Sequence, residues 1–380
     1  MKHPPRIVWI ALVVLVILLG TAAFIIMGTI KLNRLAQMSS ADMISFTTAG
    51  RNDAVLSVGI IHGAATTLTV YGGNGVPLED ASLCYEIGSI SKTMTGSLLC
   101  KALAEERIAL NDPIDRYLSL KRSSTTQWRS IGSSAPPSLD GKSIKSPYPT
   151  ILALATHTSG YRSWYFHAPM IRNRLTFQRN DYYGMDRAQL LADLERHTSA
   201  GTFQYSNYGI SLLGAILSEV YQTPYETLMN DFLATELKLP DTHVAQGEGT
   251  HDGYWDWREG DAYLPAGGIL STAQDMMTYL RLQMSLDPAY LEAGQHPYVR
   301  VSRPNAALEK MHVRTDAVGI TWMIDQENGF YWHNGGTGAC NSYIAFDAAR
   351  NLGVVVLSNL PPKFRIPATV IGAKLMLELQ

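Results

Sequence analysis

Three short stretches of the chain hold residue types that can do acyl chemistry together. Ser89 and Lys92 lie three apart in Glu86-Ile87-Gly88-Ser89-Ile90-Ser91-Lys92. The apolar spacing that follows predicts a helix start, and positions i and i+3 share a helix face, so the amine can approach the hydroxyl. A serine alcohol is a weak nucleophile that needs a neighbouring base, and a lysine removed from water can serve. Developing negative charge is favoured at a helix N-terminus. Tyr205 and Asn207 stand in Gly201-Thr202-Phe203-Gln204-Tyr205-Ser206-Asn207-Tyr208-Gly209, a turn before a predicted helix. A phenol can relay protons, and a side-chain amide can hold a substrate carbonyl or the lysine. The third stretch, His333-Asn334-Gly335-Gly336-Thr337-Gly338, falls between two predicted strands. Its glycines let a substrate backbone lie against a strand edge, and the Gly336 amide can donate to an oxyanion. Each motif alone is weak, because a helix-capping serine, a capped turn and a glycine-rich hairpin loop explain them equally well. His251-Asp252-Gly253 repeats the His-x-Gly form without flanking strands or the glycine run, and reads as a loop.

The elements that must position these residues follow from hydrophobic period. Val55 to Ile61 and Thr67 to Tyr71 are β-rich runs around His62-Gly63-Ala64, a predicted hairpin. Ser89 to Glu106 has helical spacing through Met94, Leu98, Leu99 and Leu103. Residues 122–149 are rich in Ser, Thr, Pro and Gly and read as a surface loop. From 151 to about 285 the pattern is mostly helical, clearest over Ala188 to His197 and Gly209 to Val220. Gly319 to Gln326, Ser342 to Asp347 and Gly353 to Ser358 then read as strands, before a last amphipathic helix from Pro367 to Leu379. Strands at both ends and helices between predict an α+β fold. Its antiparallel sheet is assembled from both termini and flanked by helices, with an inserted helical lobe over roughly 106–310. A site is expected in the cleft between the lobes.

Composition bounds the rest. The chain has 380 residues, 31 Lys+Arg against 33 Asp+Glu, and 46% hydrophobic residues, which describes a folded protein without the basic excess of a nucleic-acid binder. Cys84, Cys100 and Cys340 are too few and too dispersed for a disulfide framework or a zinc site, although one pair can bridge in an oxidising compartment. No His-Glu-x-x-His and no Gly-x-Ser-x-Gly occurs, which argues against a zinc peptidase and an α/β-hydrolase. No metal or cofactor is expected. Ile7 to Ile30 carries no charge and is long enough to cross a hydrocarbon core of about 30 Å. Its apolar run exceeds a signal-peptide core, so residues 1–30 are expected to form a single uncleaved anchor, 31–50 a linker and 51–380 the catalytic domain. The domain is then expected outside the cytoplasm, on the cell membrane.

Taken together, the three motifs resemble those of the serine β-lactamase-related hydrolases: class C β-lactamases, low-molecular-weight penicillin-binding DD-peptidases and related esterases. Leu154-Ala155-Thr156-His157-Thr158-Ser159-Gly160, Pro265-Ala266-Gly267-Gly268-Ile269-Leu270-Ser271-Thr272 and Ala273-Gln274-Asp275 extend the resemblance over roughly residues 55–380. The resemblance implies that Ser89 is the acylated nucleophile, that Lys92 takes its proton, and that Tyr205 shares general acid and base work. It implies Asn207 against substrate or Lys92, His333 on the sheet edge against a substrate carboxylate, and Gly335 and Gly336 along the substrate. The amides of Ser89 and Gly336 would form the oxyanion hole. The third motif begins with His where class C β-lactamases have Lys. That departure favours DD-peptidase and esterase-like members, because a neutral imidazole holds a carboxylate less strongly than an ammonium. The expected substrate is a small molecule or peptide bearing an ester, amide or β-lactam carbonyl. A degenerate, membrane-tethered binding protein is the alternative.

Overall fold

The computed structural model describes residues 35–79, 83–118, 146–198, 200–247, 253–302 and 305–380. The predicted hairpin is β1 (Leu56–His62) and β2 (Ala65–Tyr71), with His62 opposite Ala65. Gly63 takes the left-handed conformation, φ 59°, that suits so tight a turn. β11 (Asn341–Asp347) and β12 (Leu352–Ser358) are buried along their whole length. They read as continuous apolar runs because both sheet faces are covered. Ile344, Phe346, Val355 and Leu357 join the core shared with the helical lobe, whereas Tyr343, Ala345, Val354 and Val356 join a second core on the opposite face.

β1 pairs antiparallel with both β2 and β12, so the two ends of the described chain share one sheet. Its order is β3-β2-β1-β12-β11-β10-β9-β8-β7, with β3 (Pro77–Leu78), β7 (Val299–Arg300), β8 (Ala317–Val318), β9 (Met323–Asp325) and β10 (Phe330–Gly336). The α+β architecture expected from the sequence holds. The C-terminal helix, Ala368–Leu379, covers one face, and Gly372 lets it settle on Tyr343, where a Cβ would come within 2.0 Å of the ring. The inserted lobe carries helices Ile151–Ala155, Ala168–Leu175, Arg187–Leu191, Asn207–Tyr221 and Tyr225–Asp231. A second sheet, β4 (Tyr85–Glu86), β6 (Ile269–Ser271) and β5 (His243–Val244), joins the lobe to the start of the Ser89 segment.

Two expectations change. The segment read as a linker, 31–50, contains the helix Ser40–Thr48. Met43 and Ile44 are buried there, and the Ser40 amide and hydroxyl donate to the Glu378 carboxylate at 3.1 and 2.5 Å. Its polar composition hid a short apolar contact that two residues suffice to make. The third motif is not a loop: His333 to Gly336 are the end of β10. The proposed anchor at 1–30, most of the 122–149 loop, and His251 and Asp252 lie outside the described residues. Among the described residues no helix is long and apolar enough to cross a membrane. Cys84, Cys100 and Cys340 are all free thiols.

Candidate active site

Ser89 lies in a single 3-10 turn, Gly88–Ile90, that feeds directly into the helix Ser91–Ala104. The turn exists because Gly88 adopts φ 52° and because the end of β10 packs onto it. A Cβ on Gly88 would stand 2.6 Å from the Gly336 nitrogen, and one on Gly335 would stand 1.9 Å from the Ile87 carbonyl oxygen. The two glycine motifs are therefore interlocked backbone to backbone, which sets the Gly336 amide beside Ser89. Beyond Trp332, β10 has no β9 partner in the pairing register, so His333 to Gly336 pair with β11 alone.

Lys92, one turn along the helix, is fully buried. Its Nζ is hydrogen-bonded to Ser89 Oγ at 2.8 Å and donates to the Ala266 carbonyl at 2.5 Å. Burial holds the Lys92 ammonium well below its ordinary pKa, and no carboxylate opposes this. Burial thus favours the neutral amine, which keeps one N–H on Ala266 and leaves its lone pair free for the Ser89 proton. Tyr205 stands beside the Ser89 side chain, and Lys92 Nζ sits 5.0 Å from the Tyr205 ring centroid. Burial pushes the Tyr205 phenol well above its ordinary range, and the neighbouring Ser89 side chain opposes this only in part. Burial thus favours the protonated phenol and the unprotonated amine. Ser89, Lys92 and Tyr205 are brought together as the sequence predicts.

Asn207 is the first residue of the helix Asn207–Tyr221, capped by Ser206, whose Oγ accepts from the Gly209 amide. Its amide donates to the Tyr182 hydroxyl at 3.0 Å, and its Oδ1 is buried without a hydrogen-bond partner. A small cavity of about 70 Å³ opens at Ser89, lined by Gly88, Tyr182, Asn207, Trp255, Tyr263 and Gly336 among others. Trp255, which also lines the cavity, has a buried donor without a partner, Nε1, where Asn207 has an acceptor. A larger cleft of about 480 Å³ between β2 and Thr272–Gln274 is lined by none of Ser89, Lys92, Tyr205, Asn207 and His333.

His333 and Gly335 depart from the roles the resemblance implied. His333 is fully buried, hydrogen-bonded through Nδ1 to the Asn334 carbonyl at 2.7 Å, and does not line the cavity. Burial lowers its pKa to about 3, with Lys92 adding to the effect. It shares the Gly335 face of β10, turned toward Lys92 and Tyr205, so it offers a substrate carboxylate no charge. Gly335 is spent on the close approach to Ile87, and Gly336 alone of the pair reaches the cavity.

The family model for beta-lactamase matches residues 48–373. The chain belongs to the beta-lactamase family. A beta-lactamase of Yersinia enterocolitica is 28% identical over 232 residues, covering 58% of this chain and 50% of that protein. Protein flp of Staphylococcus aureus (strain N315) is 22% identical over 298 residues, covering 74% of this chain and 53% of that protein. The chain thus spans about half the length of these curated relatives. The crystal structure of a beta-lactamase/D-alanine carboxypeptidase from Yersinia pestis complexed with citrate superposes with a TM-score of 0.65 at 20% identity, over 92% of this chain and 99% of that one. At that identity the likeness concerns the fold.

Four further residues build this beta-lactamase-family site. His157 stacks on Tyr205 with ring centroids 4.5 Å apart and accepts the Ser206 amide on Nδ1 at 3.2 Å. That bond puts the His157 proton on Nε2, whereas the His333 bond to a carbonyl puts its proton on Nδ1. The two neutral imidazoles flank Lys92 and Tyr205 with opposite tautomers, and each Nε2 lacks a protein partner. Tyr182 and Trp255 wall the cavity from loops with no motif of their own. Glu86, immediately before the motif, accepts from Thr337 Oγ1 at 2.5 Å and the Trp255 amide at 2.6 Å, tying three site segments together. Burial raises its pKa, and the Thr337 bond opposes the rise. Tyr161 and Tyr165, by contrast, are core.

Proposed function

We propose that the protein is a serine acyl-transfer hydrolase working through an acyl-enzyme on Ser89. The observation that carries the reading is Lys92, fully buried with its Nζ 2.8 Å from Ser89 Oγ. Ser89 Oγ attacks the substrate carbonyl carbon as its proton passes to Lys92 Nζ. The carbonyl oxygen becomes an oxyanion held by the amides of Ser89 and Gly336. Tyr205 gives its proton to the leaving group as the carbonyl reforms, and recovers one from Lys92 across the Ser89 oxygen. Water then repeats the cycle on the ester, with the same groups in reverse. A degenerate binding role is disfavoured, because Ser89, Lys92 and Tyr205 stand in working geometry.

Asn207 Oδ1 and Trp255 Nε1 give the cavity an unmatched acceptor and an unmatched donor. A secondary amide beside the scissile bond satisfies both, which supports a peptide or β-lactam substrate of DD-peptidase or β-lactamase type. The neutral, buried His333 favours a second reading, an esterase-like enzyme whose substrate carries no free carboxylate. We further place the enzyme at a membrane, anchored by residues 1–30 with the domain outside the cytoplasm, on the strength of the uncharged run Ile7 to Ile30.

A fluorophosphonate probe is expected to label the full chain and not Ser89→Ala; labelling that persists in the variant overturns the nucleophile. Intact-protein mass spectra with penicillin over time separate the types. A lasting adduct marks a penicillin-binding enzyme, a transient one a β-lactamase, and none the esterase-like reading.

A further inference from the structure

Exposed apolar side chains are concentrated in one place. Of the nine large apolar residues exposed among the described residues, four fall between 166 and 177: Phe166, Ile171, Leu175 and Phe177. Phe177 is 91% exposed and Leu175 75%. Single exposed hydrophobics are ordinary, but a contiguous group marks an interaction surface. Ile171 and Leu175 are one turn apart on the helix Ala168–Leu175, Phe177 follows in the next turn, and Phe166 leads in, its ring edge-on to Trp164 at 4.6 Å.

The charge around them is one-sided. Arg162, Arg172, Arg174 and Arg179 are exposed and interleave with the apolar residues, while Asp181 is the single acid from 162 to 181, in a chain of net charge −2. Arg174 pairs with Asp181 at 2.8 Å, which leaves three guanidiniums to the surface. Aromatic and aliphatic groups that can enter an acyl boundary, interleaved along the chain with arginines that can meet phosphates, make the surface of an interfacial binder. A second copy fits poorly, because a twofold contact would set the arginines against each other.

The same segment is tied to the site. The Asn173 side-chain amide donates to the carbonyls of Asp181 at 3.1 Å and Tyr183 at 2.8 Å, bracketing Tyr182, which walls the Ser89 cavity. We propose that the Phe166–Phe177 surface seats on an anionic lipid bilayer, so that the wall of the cavity lies against the membrane surface. The proposal is independent of the catalytic reading, and Ser89→Ala should seat unchanged.

The test uses the full chain with Phe177→Cys carrying an environment-sensitive dye, in vesicles of phosphatidylcholine and phosphatidylglycerol containing a shallow nitroxide lipid. The dye reports the patch itself, whatever residues 1–30 do. The unsubstituted chain gives the labelling background, and Leu175→Cys is a second reporter. The expected result is a blue shift and quenching, weakened by salt and by omitting phosphatidylglycerol. Arg172→Gln and Arg179→Gln should each lower the ratio of seated to free label on the order of fivefold. A dye that stays in water at both positions overturns the proposal. So does a shift that needs no vesicles and grows with protein concentration, which would make the occupant a second copy.

Discussion

Lys92 and Tyr205 divide the proton work by opposite responses to the same burial: the amine is driven neutral and the phenol is kept protonated. The pH profile of kcat/KM should lose activity on the acid side at a midpoint far below 10.5, the ordinary lysine value, and stay level above that midpoint. A steady tenfold rise per pH unit up to pH 10 would show that Lys92 is charged at rest. Lys92→Arg, which stays cationic, should lower kcat/KM by roughly 10²–10⁴. Tyr205→Phe keeps the ring and removes the proton. Turnover of a peptide or amide should fall by about 10²-fold, while a p-nitrophenyl ester, whose leaving group needs no proton, should lose far less. Equal losses on both would move Tyr205 from leaving-group acid to general base. These residues were legible because i, i+3 spacing and a three-residue motif are local facts. His157 and Tyr182 were not, since a ring stacked on Tyr205 and a hydroxyl accepting from Asn207 exist only once distant segments meet.

At the scale of elements, the site is a junction between one strand end and one turn, held by glycines that nothing larger could replace. Gly335→Ala should be severe, because its methyl would meet the Ile87 carbonyl at 1.9 Å and the Ser342 hydroxyl at 2.4 Å. An overpacked core costs about 1–3 kcal/mol, and here the displaced backbone leads directly into Ser89. Loss of activity together with a lower Tm is expected. Gly267→Ala makes the contrast. Its methyl meets only the Gly88 carbon at 3.9 Å, yet Gly267 lines the cavity. That variant should keep its Tm and change KM, as thermal melts beside steady-state kinetics would show. A Tm drop in both would mean that the junction is not where the strain falls. β10 was misread for the same reason that it works. Glycines lower strand propensity, so Gly335-Gly336 looked like a loop, although the backbone is extended and paired with β11. β3 to β8 were invisible for another reason: at two or three residues they carry no period. The long strands β1, β2, β11 and β12 were read within a residue or two: burial wrote itself into the apolar pattern of β1, β11 and β12, and the largely exposed β2 showed in its β-branched residues.

Across the whole molecule, burial of ionisable groups sets how the fold responds to acid. His157 and His333 are both held below the ordinary imidazole value of 6.5, by burial first and then by Lys92. A group with a depressed pKa of this kind binds protons in the unfolded chain that the folded chain excludes. Its contribution is intact above pH 6.5 and is lost as pH falls toward about 3 for His333. Glu86 and Asp261 run the other way. Burial raises both, Asp261 to about 6, so acid relieves rather than strains the fold at those positions. The acid stability of the wild type is therefore a mixture, and the imidazole part must be read by difference. His333→Gln keeps a polar group on β10 and removes the titration. Relative to wild type, the variant should gain about 1.4 kcal/mol for each pH unit between 6.5 and 4.5, whatever their difference at pH 8. Denaturant unfolding of both proteins along that series measures it, and the carboxylates common to both cancel. Parallel stability curves would mean that His333 already carries a proton in the folded protein. That result would restore to it the charge a substrate carboxylate needs.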